Sequence, residues 1–225
     1  LGNGVELHVE MGGNPEHPAI MLIMGLGAQM LFWPDFFCKS LIDQGYRVIR
    51  YDNRDIGLSS KIRHSGPRLN TLKLMGRFAL GLENQGAPYN LYDMAEDAAL
   101  LIDRLGLEKV SVIGASMGGM IAQILAAKHP EKVSNLGLMF TSNNQPLLPQ
   151  PFPKQLLSLI GRPESTDEEG IVNHSVKVFN IIGSPGYINQ IEIIQTARKL
   201  YQRSYYPAFV LQQFLAILCT CSLLQ

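Results

Sequence analysis

The residues most able to do chemistry in this chain stand in one short run, Val110-Ser111-Val112-Ile113-Gly114-Ala115-Ser116-Met117-Gly118-Gly119-Met120. Gly114-Ala115-Ser116-Met117-Gly118 fits G-x-S-x-G, the signature of a nucleophilic serine on a sharp turn between strand and helix. A strand that turns at once into a helix leaves its turn residue with a strained backbone and an exposed side chain. Small neighbours at Gly114 and Gly118 let the two elements approach. Ser116 Oγ would then stand at a helix N-terminus, beside backbone N–H groups able to hold a developing anion. The pattern also occurs by chance in many proteins. A dinucleotide-binding turn also joins strand to helix through glycines, but it needs glycine where Ser116 stands and an acid roughly 20 residues on. Asn135-Leu136-Gly137-Leu138-Met139-Phe140 supplies none.

A second glycine turn, Met24-Gly25-Leu26-Gly27, follows the apolar run Ala19–Met24. Gly25 and Gly27 let the backbone fold closely over the site. In this geometry the Leu26 and Met117 N–H groups would form an oxyanion hole, each donor being worth on the order of 3 kcal/mol of transition-state stabilisation; the segment by itself also reads as a plain glycine turn.

The elements that position these turns are legible from periodicity. Val5–Met11 alternates as an edge strand, and Ala19–Met24 is a strand covered on both faces. Pro34–Gln44 is a helix with Pro34 near its start and Gly45 as its stop. Tyr46–Tyr51, Val110–Ala115 and Val133–Thr141 are strands, and Met117–His129 is the helix after Ser116. Leu91–Leu105 is the clearest helix, with Leu91, Met94, Ala95, Ala98, Leu101, Ile102 and Leu105 on one face. Alternating strands and helices make an α/β fold, a mostly parallel sheet with helices on both faces. Ligands bind such sheets at the carboxyl ends of the strands. Ser116, Met24–Gly27 and Asp52–Gly57 all lie at such ends.

After Asn143 the texture changes to a proline-rich linker over 145–153, then to helical segments expected at Lys154–Ile160, Asp167–Ile182, Pro185–Gln202 and Pro207–Leu224. The expected organisation is therefore a core over 1–143 and a helical cap over 144–225. The uncharged stretch Ser204–Gln225 is broken by Gln212, Gln213, Thr220 and Ser222 and reads as a buried helix rather than a membrane span.

Composition bounds the function. The 225 residues are 46% hydrophobic and 17% charged, with zero formal net charge. This describes a globular chain with a large core and no basic block for nucleic acid. Cys38, Cys219 and Cys221 form neither a disulfide framework nor a zinc pattern. No metal, cofactor, nucleic acid or membrane partner is expected, no signal peptide is visible, and a reducing cytoplasm is the default compartment.

Together these runs resemble the α/β-hydrolase superfamily, most closely capped serine esterases of the aclacinomycin methylesterase-like type. The resemblance rests on Leu22–Gly27, Tyr51-Asp52-Asn53-Arg54-Asp55-Ile56-Gly57-Leu58-Ser59, the helix from Asp93 to Gly106, and Gly114–Gln123. It continues through Ile182–Gly186 and Arg203–Pro207. It implies a nucleophile elbow at Ser116 and a structural turn at Asp52–Asp55; the helical cap and the apolar rim suggest a small hydrophobic ester or acyl substrate. Relatives commonly carry His where this chain has Met24.

One departure matters. The resemblance implies an acid and then a histidine after the cap, and the strands that would carry them are absent from these 225 residues. Asp167, Glu168, Glu169 and Glu192 fall in cap helices. His129 lies at the far end of a helix about 18 Å long at roughly 1.5 Å per residue, out of reach of Ser116. His174 reads as a solvated helix-face residue, and His64 lies in a loop that could approach the rim. Little activity is therefore expected of the chain as given, and a non-catalytic ligand-binding or scaffold protein is the alternative. The strand near Val133–Thr141 would be an uncovered apolar edge. A homodimer through that edge or through the helix from Pro207 is expected, and a monomer at high concentration in analytical ultracentrifugation would contradict it.

Overall fold

The apolar runs of the sequence become a five-stranded sheet in the computed structural model of the chain, which describes residues 1–63, 69–145, 148, 153–206 and 208–220. The strands are β1 (Val9–Gly12), β2 (Ala19–Ile23), β3 (Arg47–Tyr51), β4 (Val110–Ala115) and β5 (Val133–Met139), in the spatial order β1-β3-β2-β4-β5. The β1–β3 pair is antiparallel, and β3–β2, β2–β4 and β4–β5 are parallel. The mostly parallel sheet expected from the alternation is thus observed, with β1 on one edge and β5 on the other.

Every side chain of β2 is buried, because both faces of this central strand are covered. Ala19, Met21 and Ile23 join one apolar cluster with α3 (Leu91–Arg104) and α4 (Met117–Lys128). Ile20 and Leu22 join another on the opposite face with Trp33 and with Cys38 of α1 (Asp35–Asp43). The strand's period of two sorts its residues between these layers. Helix α3 starts in a capping box: Asn90 accepts from the Tyr92 and Asp93 N–H groups, and the Asp93 carboxylate accepts from the Asn90 N–H. Pro34 is the cap residue of α1, one position outside the helix expected to begin there.

At the β5 edge, Leu136, Leu138 and Met139 are exposed, and the adjoining Phe140 is 78% exposed. This edge has the uncovered apolar character read from the sequence.

The chain divides into two compact units, Leu1–Leu148 with Tyr206–Gln225, and Pro149–Tyr205. The second unit holds α5 (Pro153–Ile160), α6 (Glu168–Ile182) and α7 (Gln190–Arg203). Within it α6 packs on both α5 and α7. Helix α7 begins five residues later than Pro185, the expected start. Ser184-Pro185-Gly186-Tyr187 instead forms a turn, closed by the Tyr187 N–H donating to the Ser184 carbonyl (3.1 Å) with Gly186 at φ 85°. Asn189 caps the helix that follows.

Two further differences concern the first unit. Helix α2 (Thr71–Ala79) lies in a stretch for which the sequence reading offered no element; it is capped by Asn70 and buries only Leu74 and Phe78. Helix α8 (Ala208–Leu218) was read with the cap but belongs with residues 1–148, because Ala216 enters the main core cluster. The last turn of α8 is held by side chains of that unit. Asn84 donates to the Leu218 carbonyl, Asn144 donates to the Ile217 and Thr220 carbonyls, and Thr220 Oγ1 accepts from the Leu91 N–H. Cys221, His64 and most of the proline-rich linker lie outside the described residues. Among the described residues, no helix is long and apolar enough to cross a membrane.

A buried polar network underlies the sheet. Arg54 grips Asp97 through two bonds of 2.6 and 2.7 Å, and Asn3 donates to the same carboxylate. The Arg54 guanidinium also lies 5.0 Å from the centre of the Tyr89 ring. Burial opposes the charge on Arg54, but the bonds and charge of Asp97 outweigh it and raise its pKa. Tyr89 O–H donates to Asp55 Oδ2 (2.6 Å), and the Ile62 N–H donates to Oδ1 (2.6 Å). Burial pushes the Asp55 carboxyl above its ordinary 3.8, while these two donors pull it back. A carboxyl whose pKa is raised in the folded state binds its proton more tightly there, so its contribution to stability declines as pH rises above the ordinary carboxylate range. Tyr89→Phe removes a donor to the charged form. We expect a loss of about 1–3 kcal/mol in denaturant unfolding near neutral pH, shrinking as the pH falls and Asp55 protonates; a pH-independent loss would contradict this assignment.

Candidate functional site

The site is built where β4 ends. Ser116 follows Ala115 directly, and α4 begins at the next residue. Its backbone lies at φ 53°, ψ −122°, a conformation that L-residues rarely adopt and that costs on the order of 1–3 kcal/mol. The surroundings over-determine it. The Ser116 N–H donates to the Met139 carbonyl on the neighbouring strand (3.0 Å). The Ser116 carbonyl accepts from the Gly119 and Met120 N–H groups and from Thr141 Oγ1 (2.6 Å). The residue is half-buried, and among the described residues its Oγ has no hydrogen-bond partner.

The glycines expected around the turn occupy positions with no room for a side chain. A Cβ on Gly118 would press into the Ile23 and Met24 carbonyls at the end of β2, and one on Gly114 would press into the Gly118 carbonyl and Gly119 Cα. Helix α4 therefore crosses the end of β2 at backbone contact. At Gly25 a Cβ would stand 3.1 Å from Ser116 Cβ and 3.6 Å from its Oγ, so the structure brings the second glycine turn against the serine. Gly27 holds φ 69°, with Val210 of α8 packed against it.

Leu26 is half-buried against the main core, and Met117 is buried. Among the described residues, neither Leu26 N–H nor Met117 N–H donates to a protein acceptor. Leu26 follows Gly25 on the loop packed against Ser116, and Met117 is the first residue of the helix after it. Such an arrangement can receive negative charge on an oxygen bonded to a carbon that Ser116 attacks.

The loop 24–30 is pinned from below by Asp52-Asn53-Arg54-Asp55, the turn read as structural. Asn53 Nδ2 donates to the Met24 carbonyl (2.9 Å), and Asp52 accepts from the Met30 N–H (2.8 Å) and the Leu58 N–H (3.0 Å). A residue that sequence reasoning passed over completes the loop's support. Gln213 of α8 is fully buried, with Oε1 accepting from the Gly27 N–H (2.9 Å) and Nε2 donating to the Arg54 carbonyl (2.9 Å). The available signal was an amide inside an uncharged, apolar helix, since a buried amide must find partners.

Three buried carboxylates and one histidine of the first unit bond to other groups. Asp52, Asp55 and Asp97 bond to backbone donors, a tyrosine or a guanidinium. His129 lies at the far end of α4, as its spacing required, between Glu96 (3.0 Å) and Glu131 (3.6 Å). His174 belongs to the second unit. It is half-buried in α6 rather than solvated, and burial followed by the nearby Lys177 charge lowers its pKa.

Known proteins place this arrangement in context. A family model described as alpha/beta hydrolase fold matches residues 18–176. Rhodomycin D methylesterase DnrP of Streptomyces peucetius is 28% identical over 201 residues, covering 81% of this chain and 60% of that protein. The chain thus spans about 60% of the length of this curated relative. Among solved structures, a carboxylesterase study of the thaumarchaeon Nitrososphaera gargenis supplies a match with TM-score 0.64 at 19% identity, covering 98% of this chain and 70% of that one. A hydrolase from Pseudomonas aeruginosa matches with TM-score 0.64 at 22% identity, covering 97% and 70%. These structures share the fold.

The close crossing at Gly118 gives a direct test of the local geometry. Gly118→Ala should cost about 1–3 kcal/mol, the usual penalty of overpacking against atoms that cannot yield. The midpoint of denaturant unfolding reads it, and a wild-type midpoint would show that the crossing is looser than described.

Proposed function

The chain belongs to the alpha/beta hydrolase fold family, and from that premise we propose that it is a serine hydrolase acting on carboxylic esters, with Ser116 as its nucleophile. The observation that carries the proposal is the positive-φ turn at Ser116, whose Oγ has no described partner and whose neighbours, Met117 and the Gly25 turn, offer two N–H groups without a described acceptor. The methylesterase named among its relatives supports ester chemistry.

In the proposed reaction Ser116 Oγ attacks the ester carbonyl carbon, and the carbonyl oxygen takes up the negative charge. The Leu26 and Met117 N–H groups hold that oxyanion. Collapse breaks the carbon–alkoxy bond, the leaving alcohol carries away the serine proton, and an acyl-enzyme remains. Water then attacks the acyl carbon, releasing the carboxylic acid and restoring the hydroxyl. No described side chain hydrogen-bonds Ser116 Oγ to take its proton, so slow turnover is expected of these 225 residues alone. The proposed substrate carries a small hydrophobic acyl group, in keeping with the apolar cluster in which Leu26 and Met117 pack. No cofactor or metal enters these steps.

Ser116 Oγ has no partner among the described residues, which leaves a second reading, a ligand-binding or scaffold protein. A fluorophosphonate probe separates the two. Phosphonylation replaces the P–F bond with an O–P bond and releases fluoride and the serine proton. We expect slow labelling of one residue, abolished in Ser116→Ala. Labelling that survives this substitution would overturn the assignment of the nucleophile, and no labelling between pH 6 and 10 (the range over which a neighbouring base would titrate, roughly) would favour the binding protein.

A further inference from the structure

We infer that Gln213 is a positioning residue of the proposed ester-hydrolysing site, holding the Leu26 N–H toward the developing oxyanion; this rests on the serine-hydrolase reading above. One side chain of α8 bridges two separate backbone segments. Its Oε1 takes the Gly27 N–H, and its Nε2 gives to the Arg54 carbonyl, each at 2.9 Å. The amide is completely buried, so neither bond competes with water.

Gly27 is the residue next to Leu26. Fixing the Gly27 N–H fixes the peptide plane that follows Leu26 and so narrows, through the Leu26 φ and ψ, the orientations open to the Leu26 N–H. Gly27 itself lies at φ 69°, where a glycine moves readily. Val210, one helical turn before Gln213, closes the other side of the same glycine. The Arg54 carbonyl, in turn, belongs to a residue whose guanidinium is locked on Asp97 in the core. The oxyanion loop is therefore referenced to the rigid interior through one amide side chain. Asn53 and Asp52 secure the loop at Met24 and Met30, on either side of this point. Gln213 secures its middle.

A purely structural glutamine would affect folding alone. A positioning glutamine affects the rate of bond formation in molecules that are already folded. Gln213→Met keeps the length of the side chain and removes both hydrogen bonds. The full chain should be treated with a fluorophosphonate over a range of concentrations, separating the maximal labelling rate constant from the probe concentration at half-maximal rate. Gln213→Met should lower the maximal rate constant by roughly tenfold to a hundredfold, the scale of a misplaced or missing oxyanion donor. The half-maximal concentration and the fraction of protein finally labelled should not change. Gln212→Met on the same helix, which loses a bond to the Ile62 carbonyl, serves as the control and should label at the wild-type rate. Gln213→Glu keeps the acceptor for Gly27 and should recover part of the rate.

A wild-type maximal rate in Gln213→Met overturns the inference, as does an equal loss in Gln212→Met. If the unsubstituted chain is never labelled, the serine-hydrolase reading fails separately. Hydrogen exchange then decides the latch: faster exchange at Leu26 and Gly27 in Gln213→Met, with β4 amides unchanged, supports it, and unchanged exchange at both residues overturns it.

Discussion

The backbone crossing of α4 over the end of β2 is the constraint from which the site follows. Gly118 meets the Ile23 carbonyl with no space for a methyl group between them, and Gly114 meets Gly118 in the same way. Because these contacts are between backbones, a shift of side chains cannot relieve them. They bring the first turn of α4 against β2 and leave Ser116 as the only residue between strand and helix. Its positive φ is the geometric consequence. Its strain is sustained by bonds from Met139, Gly119, Met120 and Thr141. The same crossing sets the Gly25 turn against Ser116, because that turn is the direct continuation of β2.

Buried polar side chains then convert a close approach into a defined geometry. A loop rich in glycine has many conformations, and apolar packing alone is non-directional. Asp52, Asn53 and Gln213 each bond a particular backbone group of loop 24–30, and hydrogen bonds in a dry interior are directional and expensive to lose. Behind them the Arg54–Asp97 pair and the Tyr89–Asp55 bond anchor the turn that carries these groups. The buried ionic network is therefore tied to the loops of the rim by covalent neighbours and single hydrogen bonds.

The polar residues of α8 deserve the same reading. Its uncharged sequence hides Gln213 and is followed by Thr220, and both side chains make bonds with segments far away in the chain. Asn84 and Asn144 answer from those segments by taking up the carbonyls at the end of the helix. An apolar helix placed on an apolar core could rotate or slide; these bonds select one placement. The β5 edge shows the opposite condition, with Leu136, Leu138 and Phe140 left exposed.

Much of this was legible in the residues. The alternation of apolar runs and helical stripes specified the parallel core, since a covered strand and a two-faced helix each require a distinct periodicity. Gly114-x-Ser116-x-Gly118 located the serine because only small residues permit so tight a corner. Other features were hidden. Helix α2 buries just two side chains, too weak a stripe to stand out. The turn at Pro185 mimics a helix start until Gly186 adopts its positive φ. The placement of α8 and the double bond-making of Gln213 were decided by tertiary structure alone, because the partners lie 159 and 186 residues away along the chain. Local sequence determines which elements form and where a backbone may crowd; which distant carbonyl or amide a buried side chain meets is settled only when the layers close and water is expelled.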